Sequence, residues 1–247
     1  MSLNDKVILI TGGSKGIGKA IAEQAAAQGA KVVINYSSDS TAANDLVEKI
    51  SSGKALAVQA EVSSVTKIEK LVKKTVDRFG KIDVFIPNAA AAPMNDVEST
   101  TEQEFNQSFN MSVKGPYFLV QKTAPHMPRD GRVILVSSGV LHQSQAAPRY
   151  LLYASTKGSI EQMTRILAKD LGAKYGIAVN AFAPGLTTTE LFFKGKSQEV
   201  IDSIANYSPL GRLGRPEEIA GLAIFLAGPN SSWVSGQVIG ANGGSFV

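Results

Sequence analysis

The amino-acid sequence predicts an α/β fold in which a single domain, residues 1–247, carries a doubly wound, seven-stranded parallel sheet with helices on both faces. Two observations predict this class. Apolar segments of strand length alternate with longer segments of helical period along the whole chain, as in successive βαβ units. No internal repeat, low-complexity tract or linker divides the chain. The predicted strands are Val7 to Ile10, Lys31 to Asn35, Ala55 to Ala60, Val84 to Pro87, Arg132 to Ser137, Ile177 to Phe182 and Val238 to Gly240.

Helices are predicted between these strands, where apolar residues recur every three or four positions. They span Gly18 to Gln28, Thr41 to Ser51, Val65 to Phe79, Glu102 to Ala124, Tyr153 to Tyr175 and Pro216 to Leu226. The segment from Leu186 to Tyr207 is the least regular part of the chain. A long irregular insertion near strand ends is where a substrate lid is expected, so we predict a lid over residues 186–207.

The composition excludes several classes of function. With no cysteine and only two histidines, the chain offers neither a disulfide framework nor a cysteine-ligated zinc, and we expect no metal site. Its apolar stretches, such as Ile219 to Ala227, are shorter than the roughly 18 residues that a membrane span needs, so we expect no membrane partner. The few apolar residues near the N-terminus are too short for a secretory signal, which predicts a cytoplasmic protein.

A net charge of +4 raises the question of nucleic-acid binding. The most basic segment, Val65 to Phe79, also contains Glu69 and Asp77, and apolar residues occupy the other side of its predicted helix. This spacing is typical of a solvated helix face, so we expect no nucleic-acid partner. The surplus positive charge instead favours an anionic small molecule.

A glycine-rich loop, Thr11 to Gly18, connects the first predicted strand to the first predicted helix. Gly12 allows a tight turn, Gly16 lets the backbone approach a pyrophosphate, and Gly18 lets the helix pack closely on the strand. The helix N-terminus presents free N–H groups to the same anion. This context predicts a Rossmann-type dinucleotide site rather than a merely structural turn. The other loop residues assigned to the site are Ser14, Lys15 and Ile17.

The end of the second strand predicts which dinucleotide binds. An acidic residue there would bond the ribose of NAD and repel a 2′-phosphate. Tyr36, Ser37 and Ser38 occupy this turn, and the first carboxylate is Asp39. Lys15 can reach the same phosphate as a point charge, although the alternative is a solvated loop lysine. We therefore predict NADP(H) in preference to NAD(H).

Tyr153 and Lys157 are four residues apart, so they lie one turn apart on the same face of a predicted helix. A free phenol has a pKa near 10, too high for proton exchange at neutral pH. An ammonium at ~5 Å with an effective dielectric of ~20 would lower that pKa by roughly 2 units. An ordinary amphipathic helix could contain the same pair. Ser138 favours the catalytic interpretation, because it follows a predicted strand whose end faces the ligand crevice.

Across essentially its whole length, the sequence resembles the short-chain dehydrogenase/reductase family, and within it the 3-oxoacyl-ACP-reductase-like and naphthol-reductase-like members. The matching residues are Thr11 to Gly18, Asn88-Ala89, Asn110, Ser138, Tyr153, Lys157, Pro184-Gly185 and the closing segment Gly236 to Gly244. The resemblance implies an NADP(H)-dependent oxidoreductase that interconverts a carbonyl and a secondary alcohol, with Tyr153 as general acid/base.

The resemblance also implies a role for each remaining site residue. Ser138 would polarise and position the carbonyl, and Lys157 would hold the nicotinamide ribose and lower the pKa of Tyr153. Asn110 would anchor a water that joins Lys157 to solvent. The implied cofactor contacts are Glu61, Val62, Asn88, Ala89, Pro184, Gly185, Thr187 and Thr189.

Three positions depart from the family's pattern. Residues Pro87 to Ala90 stand where the family commonly has Asn-Asn-Ala-Gly, so one side-chain amide is lost beside the cofactor. Glu61 stands where aspartate is usual. Ala241-Asn242 replaces a usual Val-Asp pair, which puts any charge contact there in doubt.

Apolar side chains dominate the positions expected to face the substrate, and they predict an apolar or aromatic ketone rather than a sugar or a highly charged acid. These positions are Ala91 to Met94, Leu141 to Gln143, Tyr150, Leu186, Leu191, Phe192 and Phe193. His142 and Gln143 could bond a ring substituent or serve the loop alone.

The resemblance implies a homo-oligomer, commonly a homotetramer, built through the helices that carry Asn110 and Tyr153 and through the C-terminal strand. The apolar final residues, Phe246 and Val247, suit such an interface.

Two other functions stay open from the sequence. A non-catalytic NADP-binding redox sensor or regulator would keep the fold without turnover, but it would not need the complete set of four catalytic residues. An epimerase or dehydratase would use the same Tyr153 and Lys157, but the chain is short for the added C-terminal substrate domain of such enzymes.

Overall fold

The computed structural model describes residues 2–144, 146–193, 197–206 and 208–245. Its strands are β1 Val7–Thr11, β2 Lys31–Tyr36, β3 Ala55–Gln59, β4 Val84–Pro87, β5 Arg132–Val136, β6 Ala178–Pro184 and β7 Val238–Ala241. They form one parallel sheet in the order β3-β2-β1-β4-β5-β6-β7. The predicted doubly wound α/β fold is therefore confirmed.

Helices cover both faces of the sheet. They are α1 Gly16–Ala27, α2 Ser40–Ile50, α3 Val65–Phe79, α4 Glu102–Phe109, α5 Gly115–Thr123, α6 Leu151–Tyr175, α7 Glu190–Phe193, α8 Gln198–Ala205 and α9 Pro216–Ala227. α4 begins with a capping box, in which the Thr101 and Glu104 side chains bond each other's backbone N–H groups. Among the described helices, none combines the length and the hydropathy needed to cross a bilayer.

The strands at the centre are mostly apolar because they are buried on both faces, and Thr11 in β1 and Arg132 in β5 are exceptions. Every residue of β1 and of β5 is buried. Ile8 and Ile10 point to the face covered by α1, α2 and α9, whereas Leu9 points to the face covered by α3, α5 and α6. The alternation along β1 thus divides the core into two layers, one on each side of the sheet.

The predicted helical stretch from Glu102 to Ala124 is confirmed, but it is not one regular α-helix, because a π-helical segment, Asn110–Lys114, separates α4 from α5. Pro116 has no N–H to donate to the preceding turn, and the Gly115 N–H bonds the Asn110 carbonyl five residues earlier. The backbone also passes close to the loop after β3, since a Cβ on Gly115 would lie 2.9 Å from the Val62 carbonyl oxygen. This π segment places Asn110 at the end of the sheet where the strands finish.

Other differences lie at element ends. α6 begins at Leu151 rather than Tyr153, because a turn of 3-10 helix, Pro148–Tyr150, leads directly into it. β5 ends at Val136, so Ser137 lies in the loop rather than in the strand. The predicted lid contains α7 and α8. Residues 194–196 and 207 of that lid, and the predicted interface residues 246–247, lie outside the described residues.

Candidate active site

Six strands bring the predicted site residues to one edge of the sheet. β1 and β4 are neighbours there, and the chain runs outward from them into opposite halves of the sheet, which opens a crevice between the loops that follow them. The residues that end or follow β1 to β6 are Gly12 to Gly18, Tyr36 to Ser38, Glu61 and Val62, Asn88 and Ala89, Ser138, and Pro184 to Thr189. The remaining site residues, Asn110, Tyr153 and Lys157, come from the π segment and from α6.

The glycine loop is held against the end of β4. Gly12 has a left-handed backbone, with φ +60°, and a Cβ on it would lie 3.1 Å from the Ala89 Cα. A Cβ on Gly18 would lie 2.7 Å from Asn88 Nδ2, which is too close for any side chain. Asn88 Nδ2 donates to the carbonyls of Thr11 and Gly12, each at 3.1 Å. Asn88 therefore braces the loop, a task that the sequence did not reveal.

The N-terminus of α1 fits the pyrophosphate of a dinucleotide. Gly16 turns the chain into the helix with φ +53°, a conformation that glycine adopts without steric cost. The N-cap residue Lys15 makes no side-chain capping bond, and the first turn of α1 carries no acidic residue. Backbone donors at the positive end of a helix are what an anionic ligand requires.

Lys15 forms an ion pair that the sequence did not predict. Its Nζ lies 2.6 Å from Asp39 Oδ2 and 4.0 Å from Oε2 of Glu190, which is the first residue of α7. The hydrogen bond with Asp39, with Coulombic attraction second, raises the pKa of Lys15 above its ordinary value. Both side chains are exposed, so the pair is weak. Lys15 lies beside the turn after β2 as expected, but Asp39 competes for its charge.

The turn after β2 and the loop after β3 lie side by side. Gln59 Nε2 donates to the Ser37 carbonyl at 2.9 Å. Val62 is buried, and Glu61 is only partly so. Glu61 and Asn110 line the same cavity, of about 370 Å³. The structure thus places Asn110 beside the predicted adenine contacts, a neighbourhood that its predicted role near Lys157 did not include.

Three of the four predicted catalytic side chains meet at the end of β5. Lys157 is 4% exposed, and its Nζ donates to the Val136 carbonyl at 2.7 Å. One turn earlier, the Tyr153 ring centroid lies 5.7 Å from that Nζ. The Tyr153 and Ser138 side chains are in hydrogen-bond contact. Ser138 Oγ also accepts a bond from the Val140 N–H at 3.3 Å.

The pKa of Tyr153 shifts in the direction opposite to the predicted one. Burial raises the pKa of the phenol, the bond with Ser138 opposes this shift, and the Coulombic influence of Tyr150 adds to it. Burial also lowers the pKa of Lys157 to about 8. The prediction that the ammonium makes the phenol more acidic is therefore wrong for this structure, because loss of hydration penalises both charged forms.

The ends of β6 and β7 approach closely at Gly185. A Cβ there would lie 2.7 Å from the Asn242 Cα, so only glycine fits. Asn242 Oδ1 accepts a bond from the Gly244 N–H at 3.0 Å, so this departure from the family's pattern shapes a turn with an amide. Thr187 is buried, and Thr189 Cγ2 lies 3.3 Å from where a Cβ on Gly16 would be. The start of the predicted lid therefore rests on the glycine loop.

Some residues predicted to line the substrate pocket make other contacts. His142 Nε2 lies 3.0 Å from Glu161 Oε1 on α6, so His142 faces this helix instead of a ring substituent. Leu186 lines a cavity of about 320 Å³ between the end of β7 and the start of α9. The Leu191 side chain lies outside the described residues. Glu161 was not among the predicted site residues, although it continues the four-residue spacing of Tyr153 and Lys157.

Comparison with known proteins identifies the family. A family model described as enoyl-(acyl carrier protein) reductase matches residues 12–245, nearly the whole chain. The chain belongs to the short-chain dehydrogenase/reductase family. A short-chain dehydrogenase/reductase of Pestalotiopsis microspora is 37% identical to it over 256 residues, which cover 98% of this chain and 96% of the relative.

Two further proteins are similar to this chain over essentially its whole length. A hydroxynaphthalene reductase-like protein of Metarhizium robertsii is 36% identical over 260 residues, covering 100% of this chain and 97% of the relative. A blue fluorescent protein from a metagenomic library, solved in complex with NADPH, is 31% identical with a TM-score of 0.93 and 99% coverage of both chains. The protein is therefore an oxidoreductase of this family.

Within the described residues, no group of three metal-ligating side chains lies together.

Proposed function

We propose that the protein is an NADPH-dependent ketoreductase that reduces an apolar or aromatic ketone to a secondary alcohol. The observation that carries the proposal is the position of Tyr153. Its phenol contacts Ser138 at the end of β5, one helical turn from the buried Lys157, at the sheet edge that also carries the glycine loop. A proton donor and a backbone cradle for a dinucleotide would thus lie at the same edge of the sheet.

Bound NADPH would supply a hydride, with its electron pair, to the carbonyl carbon. Tyr153 would donate its proton to the carbonyl oxygen, while the Ser138 hydroxyl holds that oxygen by a hydrogen bond. The phenol of Tyr153 is protonated at neutral pH, as the donor in a reduction must be, but its raised pKa makes it a weaker acid, and the bond with Ser138 opposes that rise. Lys157, whose pKa is about 8, is still mostly charged at pH 7 and can return a proton to the tyrosinate.

The cofactor would lie across the strand ends, with its pyrophosphate on the glycine loop and the N-terminus of α1. Glu61 and Val62 would contact the adenine side. Asn110 would act on the proton path beside Lys157. The residues that would complete the cofactor site are Tyr36, Ser37, Ser38, Asn88, Ala89, Pro184, Gly185, Thr187 and Thr189.

A preference for NADP(H) over NAD(H) would come from Lys15 with the hydroxyl groups of Ser37 and Ser38, because this turn carries no carboxylate before Asp39. The similar blue fluorescent protein was solved with NADPH, which supports the same choice. The test is kcat/KM for NADPH against NADH. A preference for NADH would contradict the assignment.

The substrate class follows from the apolar positions around the crevice and from the similar relative named for hydroxynaphthalene reduction. We place the substrate beneath the segment 186–207, which would act as a lid on the same single domain. Its first residues already touch the glycine loop through Thr189 and Glu190.

The decisive experiment follows NADPH absorbance with a panel of apolar ketones, aromatic ketones and polyols, for the unmodified protein and for Tyr153→Phe. Removing one hydroxyl should lower kcat by about 10²–10⁴ and leave the Kd of NADPH nearly unchanged. Retained turnover in Tyr153→Phe would overturn the mechanism. NADPH binding without turnover of any ketone would favour a redox sensor.

We also propose that the protein is a cytoplasmic homotetramer. Large apolar side chains are exposed on the helices expected at the interface, including Phe105 (46%), Tyr117 (53%) and Ile166 (55%). Sedimentation at micromolar concentration should give a mass four times that of the chain. A monomer would contradict this assembly.

A further inference from the structure

Three side chains on one face of α6 hold the end of β5. Tyr153, Lys157 and Glu161 are spaced four residues apart, so they lie on successive turns of the helix. Their hydrogen-bond partners are the consecutive residues 136–138. Tyr153 and Lys157 belong to the proposed catalytic set, and Glu161 has no role in it.

Glu161 is a buried carboxylate with three partners. Its Oε1 accepts a bond from Ser137 Oγ at 2.9 Å and lies 3.0 Å from His142 Nε2. Its Oε2 accepts from Arg165 Nη2 at 3.3 Å. A buried carboxylate is costly unless it is hydrogen-bonded, so these contacts hold one another in place. Glu161 Oε1 therefore links Ser137, which precedes Ser138, to His142, which lies four positions after Ser138.

Ser137 lies just before a turn of 3-10 helix, Gly139–His142, and His142 is its last residue. Ser138 is the N-cap of this turn. Within the turn, Ser138 Oγ accepts from the Val140 N–H. A short 3-10 turn has poor internal hydrogen-bond geometry, so its orientation depends on contacts from outside. Glu161 supplies such contacts at both ends of the turn.

The serine, histidine and carboxylate do not form a nucleophile relay. A serine nucleophile needs a base within hydrogen-bond reach and access to the substrate. Ser137 bonds Glu161 instead of His142, and it is only 1% exposed. Any effect of this group on the reaction must therefore act through the neighbouring Ser138.

We propose that Glu161 is a positioning residue that anchors the turn carrying Ser138, and so keeps the Ser138 hydroxyl directed at the oxygen that Tyr153 protonates. The inference rests on the proposed ketone reduction, and it adds a residue that touches neither substrate nor cofactor. A displacement of about 1 Å at a reacting group can cost about a hundredfold in rate, so loss of the anchor should appear in kcat.

Glu161→Ala removes both anchors of the turn. We expect kcat to fall about tenfold to a hundredfold. The Kd of NADPH, measured by fluorescence titration, should change less than about twofold, because the glycine loop shares no partner with Glu161. Each variant is assayed well below its own thermal midpoint, so that unfolding does not lower kcat. Equal losses in NADPH affinity and in kcat would indicate general damage and overturn the proposal.

Glu161→Gln is the rescue variant, and Arg165→Gln is the matched control. The amide keeps one acceptor oxygen for Ser137 and His142 and replaces only the oxygen that faces Arg165, so kcat should stay within about threefold of the unmodified value. Arg165→Gln removes the exposed third partner, which does not touch the turn, and should leave kcat unchanged. If either variant is as slow as Glu161→Ala, anchoring of the turn is not the cause.

If Glu161→Ala fails to fold, Ser137→Ala and His142→Ala each remove one end of the anchor. Each should lower kcat about threefold to tenfold. The loss of kcat in the double variant should not exceed the product of the two single losses. Two single variants with unchanged kcat would overturn the proposal.

Amide hydrogen exchange tests the anchor without turnover. Glu161→Ala should speed exchange across residues 138–143 and leave the glycine loop unchanged, whereas Glu161→Gln should match the unmodified protein. Unchanged exchange in the turn of Glu161→Ala would overturn the proposal even if kcat fell. A protein that reduces no ketone but shows the expected exchange pattern would overturn the proposed function while supporting the anchor.

Discussion

Lys15 lies at the start of α1 and Lys157 at the end of β5, and their pKa values move in opposite directions. Lys15 is half exposed and bonded to Asp39, which raises its pKa. Lys157 is buried against the Val136 carbonyl, and burial lowers its pKa to about 8. The difference shows that the surroundings decide what a lysine does here. An exposed ammonium can exchange its carboxylate partner for a phosphate group, whereas burial brings the pKa of an ammonium closer to neutral pH.

The largest expected effect comes from removing the buried lysine. Lys157→Met should lower kcat with a ketone by about a hundredfold or more, because it removes the group that we propose to return a proton to the tyrosinate and to hold the ribose. Steady-state kinetics with NADPH measures it. Lys15→Met is the matched control, and its kcat at saturating NADPH should stay close to the unmodified value. Equal kcat losses in the two variants would remove the distinction between the two lysines.

The second effect is on stability, and it depends on pH. Between about pH 8 and pH 10.5, unfolded Lys157 keeps a proton that the folded protein has lost, so the free energy of unfolding should rise with pH. The slope is at most about 1.4 kcal/mol per pH unit. Above pH 10 the raised pKa of Tyr153 acts in the opposite direction, because the unfolded phenol ionises first.

Urea denaturation between pH 8 and pH 9.5 measures this slope, with Lys157→Met as the control that lacks the titrating group. The unmodified protein should gain stability relative to the variant as the pH rises. Parallel stability curves would show that burial does not perturb Lys157.

The third effect is steric and lies at the glycine loop. Gly18→Ala should destabilise the protein by about 1–3 kcal/mol, since its methyl group would press on Asn88 and on the Gly12 carbonyl. NADPH affinity should fall as well, because Asn88 braces the loop. Gly221→Ala on α9 is the control, since an added Cβ there meets nothing within 4 Å, and it should stabilise the helix by up to about 1 kcal/mol. Equal stability changes in both variants would contradict the close packing.

The smallest effect sharpens the comparison at the exposed end. Lys15→Met should weaken NADPH binding about tenfold and leave NADH binding nearly unchanged. Asp39→Asn should strengthen NADPH binding about twofold to fivefold, because it frees Lys15 for the phosphate. Titration with 2′,5′-ADP and with 5′-AMP separates the phosphate contribution from the rest of the cofactor. Weaker 2′,5′-ADP binding in Asp39→Asn would show that the ion pair builds the site instead of competing with it.

The features that could be predicted from the sequence are local ones. The order of the elements, the glycine loop between β1 and α1, and the shared helix face of Tyr153 and Lys157 all depend on residues close together in the chain. The break in the helix after Asn110 also had a local signal, since Pro116 cannot donate a backbone bond. Apolar residues recur with helical period on both sides of Pro116, so the sequence pattern predicted one continuous helix.

Only the folded chain decided the chemistry of the groups. Whether Tyr153 gains or loses acidity depends on how deeply it is buried, and spacing along a helix does not specify burial. Lys15 pairs with Asp39, which is 24 residues away, and Glu161 contacts Ser137 and His142, which are 24 and 19 residues away. Local periodicity determines which element a residue joins, whereas charge, hydration and long-range contacts exist only after the strand ends have met at one edge of the sheet.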